Sequence, residues 1–174
     1  HGDKNKAKWM VDNIVTNSWN DQTDLGKPIQ ECIFELKQAY PKYAPYIVAY
    51  WYCYKDMDGG EIPGIYDVMK DLKNRGYHLY CLTNWSHETF PIVKEVHARL
   101  FELFDGIVVS GEEKMVKPNP EIYNLLLSRY NLKASESIFI DDRQRNVDGA
   151  NQVGITGVLF KGSNELKEQL TQYL

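Results

Sequence analysis

Ser137-Ile138-Phe139-Ile140-Asp141-Asp142-Arg143-Gln144-Arg145-Asn146-Val147 is the stretch on which the reading of this chain turns. Its apolar run is too short for a helix and suits a buried strand. Two carboxylates stand where the run stops, and helical sequence follows over 144–153. Strand, acidic turn and helix in immediate succession predict one unit of a parallel sheet crossed by helices.

The same alternation extends in both directions. Downstream, 155–160 reads as another strand and a last helix ends the chain. Upstream, Ile65, Val68, Met69 and Leu72 recur at helical spacing, and Gly76 closes that helix at a C-terminal cap. Residues 77–83 then read as a short apolar strand, followed by helical sequence to about 103. Gly106-Ile107-Val108-Val109-Ser110 is a further strand. Asn119-Pro120-Glu121 starts a helix, with Asn as cap and Pro in the first position. The pattern predicts an α/β fold: a Rossmann-like parallel sheet core with helices on both faces. Ligands of such sheets bind outside the carboxyl ends of the strands.

Residues 1–61 differ from this core, 62–174. Met10, Val11, Ile14 and Val15, then Ile29, Ile33, Leu36 and Tyr40, then Ile47, Tyr50, Trp51 and Tyr54 follow helical spacing. Gly26-Lys27-Pro28 and Pro41 separate the three stretches. An all-helical unit rich in core aromatics is expected there. With 174 residues, the chain is long enough for one core and a small additional unit. A net charge of -4 with interspersed lysines and glutamates offers no basic patch for nucleic acid. The longest apolar run, residues 46–54, is shorter than the roughly 20 residues a bilayer requires, so no membrane partner is expected. No signal peptide is read. Three cysteines, Cys32, Cys53 and Cys81, lie far apart and form neither a metal-type pair nor a disulfide framework. A reduced, cytoplasmic setting is expected.

Polar residues gather at the predicted strand ends. Thr83-Asn84 ends one strand, Lys117 follows the next, and Asp141-Asp142 ends the third. A hydroxyl and an amide can donate to phosphoryl oxygens, and an ammonium adds positive charge. A carboxylate pair can hold a hard cation such as Mg²⁺. Taken singly, Thr83 also suits a strand end, Lys117 an ordinary surface position, and Asp141-Asp142 the dipole of a helix N-terminus. Together, at one sheet edge, they point to phosphoryl transfer.

Three segments resemble the second, third and fourth motifs of the haloacid dehalogenase-like hydrolases. They are Leu82-Thr83-Asn84-Trp85-Ser86, Val116-Lys117-Pro118-Asn119-Pro120-Glu121-Ile122-Tyr123 and Phe139-Ile140-Asp141-Asp142-Arg143-Gln144-Arg145-Asn146-Val147. Gly60-Glu61-Ile62-Pro63-Gly64, and Phe104-Asp105-Gly106 before Ser110-Gly111-Glu112, resemble the branch with a helical cap inserted after the first motif. The resemblance implies a magnesium-dependent phosphatase of a small phosphorylated metabolite, a sugar phosphate among the candidates, acting through an aspartyl-phosphate. Thr83, Asn84 and Lys117 would bind the phosphoryl group, with Lys117 and Thr83 catalytic. Asp142 would be the main Mg²⁺ ligand, and Asp141 a metal or supporting partner. Residues 1–61 would be the cap. Asp24 and Gly26, with Trp19 and Trp85, are candidate pocket residues, core packing being the other reading of the tryptophans.

The first motif of that family, Asp-x-Asp on an apolar strand, is absent ahead of the helical unit. Asp56-Met57-Asp58-Gly59 matches it locally, but the preceding run has helical period and the stretch falls at the cap-to-core junction. It is read as a fortuitous match. The expectation is an upstream strand carrying the nucleophile, placed between the strands that end at Thr83 and Asp141. Two alternatives are a metal-independent haloacid dehalogenase and a non-catalytic phosphate-binding relic. The paired acids argue against the first.

Overall fold

The computed structural model describes residues 4–53, 55 and 58–173. Four helices open the chain: α1 (Lys4–Asn13), α2 (Asn17–Asp24), α3 (Ile29–Ala39) and α4 (Ala44–Tyr52). In α3 the residues Ile29, Cys32, Ile33 and Leu36 are spaced by three and four, and all are buried. They form one apolar cluster with Met10, Ile14, Val15, Trp19, Ile47 and Trp51. Trp19 and Trp51 lie 5.5 Å apart between ring centroids, and Tyr50 meets Trp51 edge-on at 5.2 Å, geometries that aromatic pairs favour. Among the described residues this cluster takes none from beyond Trp51, so the four helices hold a core of their own.

The rest of the chain alternates strands and helices: α5 (Ile65–Asn74), β1 (Tyr80–Thr83), α6 (Phe90–Val96), α7 (Ala98–Phe101), β2 (Gly106–Val109), α8 (Ser110–Glu113), α9 (Pro120–Arg129), β3 (Ile138–Asp141), α10 (Gln144–Gln152), β4 (Thr156–Leu159) and α11 (Ser163–Leu170). The strands are parallel, in two pairs. β1 pairs with β2, Thr83 opposite Val109, and β3 pairs with β4, Asp141 opposite Leu159. Among the described residues no ladder joins β1 to β3.

Helices cover both faces. Phe139 faces a cluster with Ile122, Tyr123 and Leu126 of α9 and Ala150 of α10. Its neighbours Ile138 and Ile140 face the other way, with Val158, onto Val68 and Leu72 of α5 and Leu166 and Leu170 of α11. Alternation along a strand produces this sorting. Among the described residues no helix is long and apolar enough to cross a membrane, and Cys32, Cys53 and Cys81 are free thiols.

Several boundaries differ from the sequence expectation. The strand expected from 77 begins at Tyr80, because Leu79 pairs with Asp105 instead: Leu79 N donates to Asp105 Oδ2 (2.9 Å) and Asp105 N to Leu79 O (2.7 Å). Helical sequence up to 103 divides into α6 and α7 at His97, whose Nε2 lies 2.7 Å from Asp58 Oδ2. Ser110 opens α8 rather than ending a strand, and its Oγ accepts from Trp85 N at 2.9 Å. Asn119 occupies the cap position of α9 with extended backbone, yet its side chain makes no capping bond. Pro120 has no N–H, which removes one group a cap would serve. Asp56 and Met57, of the Asp56-Met57-Asp58-Gly59 match, lie outside the described residues.

Two of the contacts between the helical unit and the core lie around the start of α3. Ile29 N, at the start of α3, donates to Glu88 Oε1 at 2.7 Å. Gly26, at φ +87°, lies so close to α8 that a Cβ there would fall 2.7 Å from Gly111 O. A side chain would be strained by the backbone and obstructed by the neighbour. Gly111 in turn packs under the loop after β1, where a Cβ would lie 2.6 Å from His87 N.

Candidate functional site

A cavity of about 350 Å³ opens at the carboxyl ends of the strands. One wall comes from the sheet: Thr83 at the end of β1 with Asn84, Lys117 after α8, and Asp141 at the end of β3 with Asp142 and Arg143. The other wall comes from α2 and α4: Asn20, Asp21, Thr23 and Asp24, with Tyr50 and Trp51. All five residues expected at the site, Thr83, Asn84, Lys117, Asp141 and Asp142, therefore line one space.

Lys117 is the structural centre of the sheet wall. Its Nζ donates to Leu82 O in β1 and to Asp141 Oδ2 at the end of β3, both at 2.8 Å. It thus spans the two strand pairs where no ladder joins them. The pair is buried, with side-chain exposures of 9% for Lys117 and 6% for Asp141. Burial alone would raise the Asp141 carboxyl. The Lys117 charge and hydrogen bond outweigh it, helped by Arg143 N and Asn146 Nδ2, each 2.9 Å from Oδ1, and hold the group below its ordinary range. Asn146 is itself fixed, because its backbone oxygen accepts from the buried Tyr123 hydroxyl at 2.7 Å. The same burial, with Asp141 nearby, pushes the Tyr123 phenol up.

Asn84 holds the backbone of Lys117. Lys117 N donates to Asn84 Oδ1 at 2.8 Å, and Asn84 Nδ2 donates to Lys117 O at 3.0 Å. The amide expected to face a phosphate is largely engaged in placing the lysine. Asp142, in contrast, is exposed and forms no ion pair among the described residues. Asp141 and Asp142 therefore differ: one is locked to Lys117, the other presents its oxygens to the cavity.

On the helical wall, burial is the largest influence on Asp24, and Asp21 adds to it. Against the opposing charges of Arg143 and Lys117, they raise its carboxyl to about 6. Asn20 Nδ2 donates to Tyr50 OH at 3.0 Å, while Asn20 Oδ1 is shielded from solvent and has no hydrogen-bond partner among the described residues. Of the pocket candidates, Asp24 and Trp85 line the cavity. Trp19 belongs to the helical core, and Gly26 packs on Gly111 outside the lining. Asn20, Asp21, Tyr50, Arg143 and Asn146 were not anticipated. Asn20, Asp21 and Asp24 share one face of α2, a spacing that a solvated helix face shows equally well.

A family model for haloacid dehalogenase-like hydrolases matches residues 8–154. The chain belongs to the haloacid dehalogenase-like hydrolases. Over 91 residues, 52% of this chain, it is 37% identical to the sesquiterpene phosphatase astK of Aspergillus oryzae, covering 46% of that protein. Over 118 residues, 67% of this chain, it is 30% identical to a ribulose-1,5-bisphosphate 5-phosphatase of Halopiger xanaduensis, covering 48% of it. The chain thus spans about half the length of these curated relatives. In structure it is similar to a haloacid dehalogenase family enzyme of Bacteroides thetaiotaomicron, crystallised as a magnesium complex. The TM-score is 0.77 at 21% identity, over 96% of this chain and 87% of that one. At that identity the likeness is one of fold.

Proposed function

We propose that this chain forms the greater part of a magnesium-dependent phosphatase for a small phosphorylated metabolite, acting in the cytoplasm. The observation that carries the reading is the convergence of Thr83, Lys117, Asp141 and Asp142, from three strand ends, on one cavity. The phosphatase names of the two relatives favour phosphate esters over haloacids.

In this reading an upstream strand enters between β1 and β3 and brings the nucleophilic aspartate. The separation of the two strand pairs supports that placement, since edges left unpaired inside a sheet are costly. The aspartate attacks phosphorus as the ester P–O bond breaks, the alcohol leaves with a proton from the second aspartate of the Asp-x-Asp motif, and water then hydrolyses the aspartyl-phosphate to inorganic phosphate. Thr83 donates its hydroxyl to a phosphoryl oxygen. Lys117, held by Leu82 O and Asp141, keeps a fixed ammonium beside the developing charge. Asn84 acts through Lys117 by fixing its backbone. Arg143 adds a second cation at the rim.

The donor set fits Mg²⁺, which takes one or two protein carboxylates and completes its shell with phosphate and water. Asp142 would be the ligand and Asp141 its neighbour in support. The described residues hold no cluster of three or more His, Cys, Asp or Glu side chains that would form a closed cage. When bound, the ion would neutralise phosphoryl oxygens. Residues 1–61, as the cap, close the cavity and exclude water.

The test is phosphate release by the full-length protein from p-nitrophenyl phosphate and a panel of phosphorylated metabolites. Chelation should abolish turnover and Mg²⁺ should restore it. Asp142→Asn should reduce kcat by about 100-fold or more, the scale on which removing a stabilising group acts. Chelator-insensitive turnover, or halide release from haloacids, would overturn the assignment.

A further inference from the structure

The cavity has two unlike walls, and the helical one bears on the leaving group. With the phosphoryl group on the sheet wall, beside Lys117 and Asp142, the rest of the ester must face α2 and α4. That wall presents hydrogen-bond acceptors in the carboxyls of Asp21 and Asp24. Tyr50 OH lies beside them, 3.0 Å from Asn20 Nδ2. The positive charges of the cavity, Lys117 and Arg143, are both on the sheet side. Among the described residues no Ala, Val, Leu, Ile or Met lines the cavity, and its aromatic residues are Tyr50, Trp51 and Trp85.

We propose that α2 and α4 select a hydroxylated leaving group without a second negative charge, a neutral polyol or sugar monophosphate, and that Asp24 is the main determinant of that choice. The inference rests on the phosphatase reading. Hydroxyls of such a leaving group donate to Asp24 and Asp21, which line the cavity. The flat indole faces accept its C–H surface. A carboxylate or second phosphate would meet Asp21 and Asp24, and among the described residues no cation lines that wall to offset them; like charges so placed discriminate against a ligand. A long apolar chain would displace water from these carboxyls without pairing them, which penalises it more than a missing contact would. The cavity, about 350 Å³, is at the small end of ligand sites.

The experiment compares kcat/KM of the full-length protein on glycerol phosphate, glucose phosphate, phosphoglycerate and farnesyl monophosphate. The two polyol esters should exceed phosphoglycerate and farnesyl monophosphate by about tenfold or more. Asp24→Asn should narrow the gap between glycerol phosphate and phosphoglycerate by about tenfold, as expected from removing one like charge. Asp21→Asn, at an exposed position, reads the same ratio should the first variant fail to fold. A preference for phosphoglycerate or farnesyl monophosphate, or a ratio unchanged in both variants, overturns the inference and leaves the phosphatase reading standing. Failure to hydrolyse any of these or other phosphate esters overturns both.

Discussion

Replacing Lys117 by Met tests how the two strand pairs are held together. The substitution keeps most of the side-chain volume and removes the charge. Asp141, with 6% of its side chain exposed, keeps its bonds from Arg143 N and Asn146 Nδ2 but loses its cation. Leu82 O loses its donor as well. Breaking a buried ion pair from one side costs about 3–5 kcal/mol, and the orphaned carbonyl adds about 1 kcal/mol. The two surviving bonds to Oδ1 offset part of this, so a loss of about 3–4 kcal/mol is expected. Guanidinium unfolding near neutral pH, followed by circular dichroism, measures it. Asp141→Asn in the same chain should recover at least half, because the uncompensated charge is then gone. The pH dependence has a definite sign. The folded protein holds Asp141 below the ordinary carboxylate range, so its contribution is present above that range and is lost as pH falls through the folded value. Without Lys117 the carboxyl is raised by burial and accepts a proton readily, so the deficit of the variant shrinks in acid. A variant within 1 kcal/mol of the parent, or a double variant no more stable than Lys117→Met, would refute a structural role for the pair.

Asp24 carries the opposite sign. Its folded value of about 6 exceeds the ordinary one, so stability falls as pH rises from the ordinary carboxylate range through about 6. Asp24→Asn should remove that slope and gain about 1–2 kcal/mol near neutral pH, after discounting for solvent screening of a partly exposed group; parallel pH–stability curves for parent and variant would contradict this. Tyr123→Phe removes the donor to Asn146 O at 2.7 Å and should cost about 1–2 kcal/mol in thermal or denaturant unfolding, while an unchanged melt would show that the contact contributes nothing.

The α/β alternation was legible because each short apolar run stops sharply at a polar residue, as at Thr83 and Asp141. Those same stops marked the site, since the ends of parallel strands all open on one edge. The start of β1 was not legible: Leu79 reads as strand and is diverted by Asp105, 26 residues later. The link between Asn84 and Lys117, 33 residues apart, was equally invisible, although both residues had been singled out. The wall from α2 was harder still. Asn20, Asp21 and Asp24 are polar positions on a helix and resemble a solvated face, and only tertiary packing shows that the face overlooks a cavity. The aromatic ambiguity divided along the same line, Trp19 entering the helical core and Trp85 the cavity.

The tryptophans also determine what light can report about this molecule. Trp9, Trp19 and Trp51 belong to α1, α2 and α4, and Trp85 stands beside the cavity, which accounts for all four in the chain. Neither the strands nor the helices that cover them contain one. Fluorescence emission therefore follows Trp9, the tilted Trp19–Trp51 pair and the cavity rim, whereas far-ultraviolet ellipticity averages over every helix and strand. A red shift that precedes the loss of ellipticity on heating would be the optical signature of the first four helices loosening while the sheet remains intact.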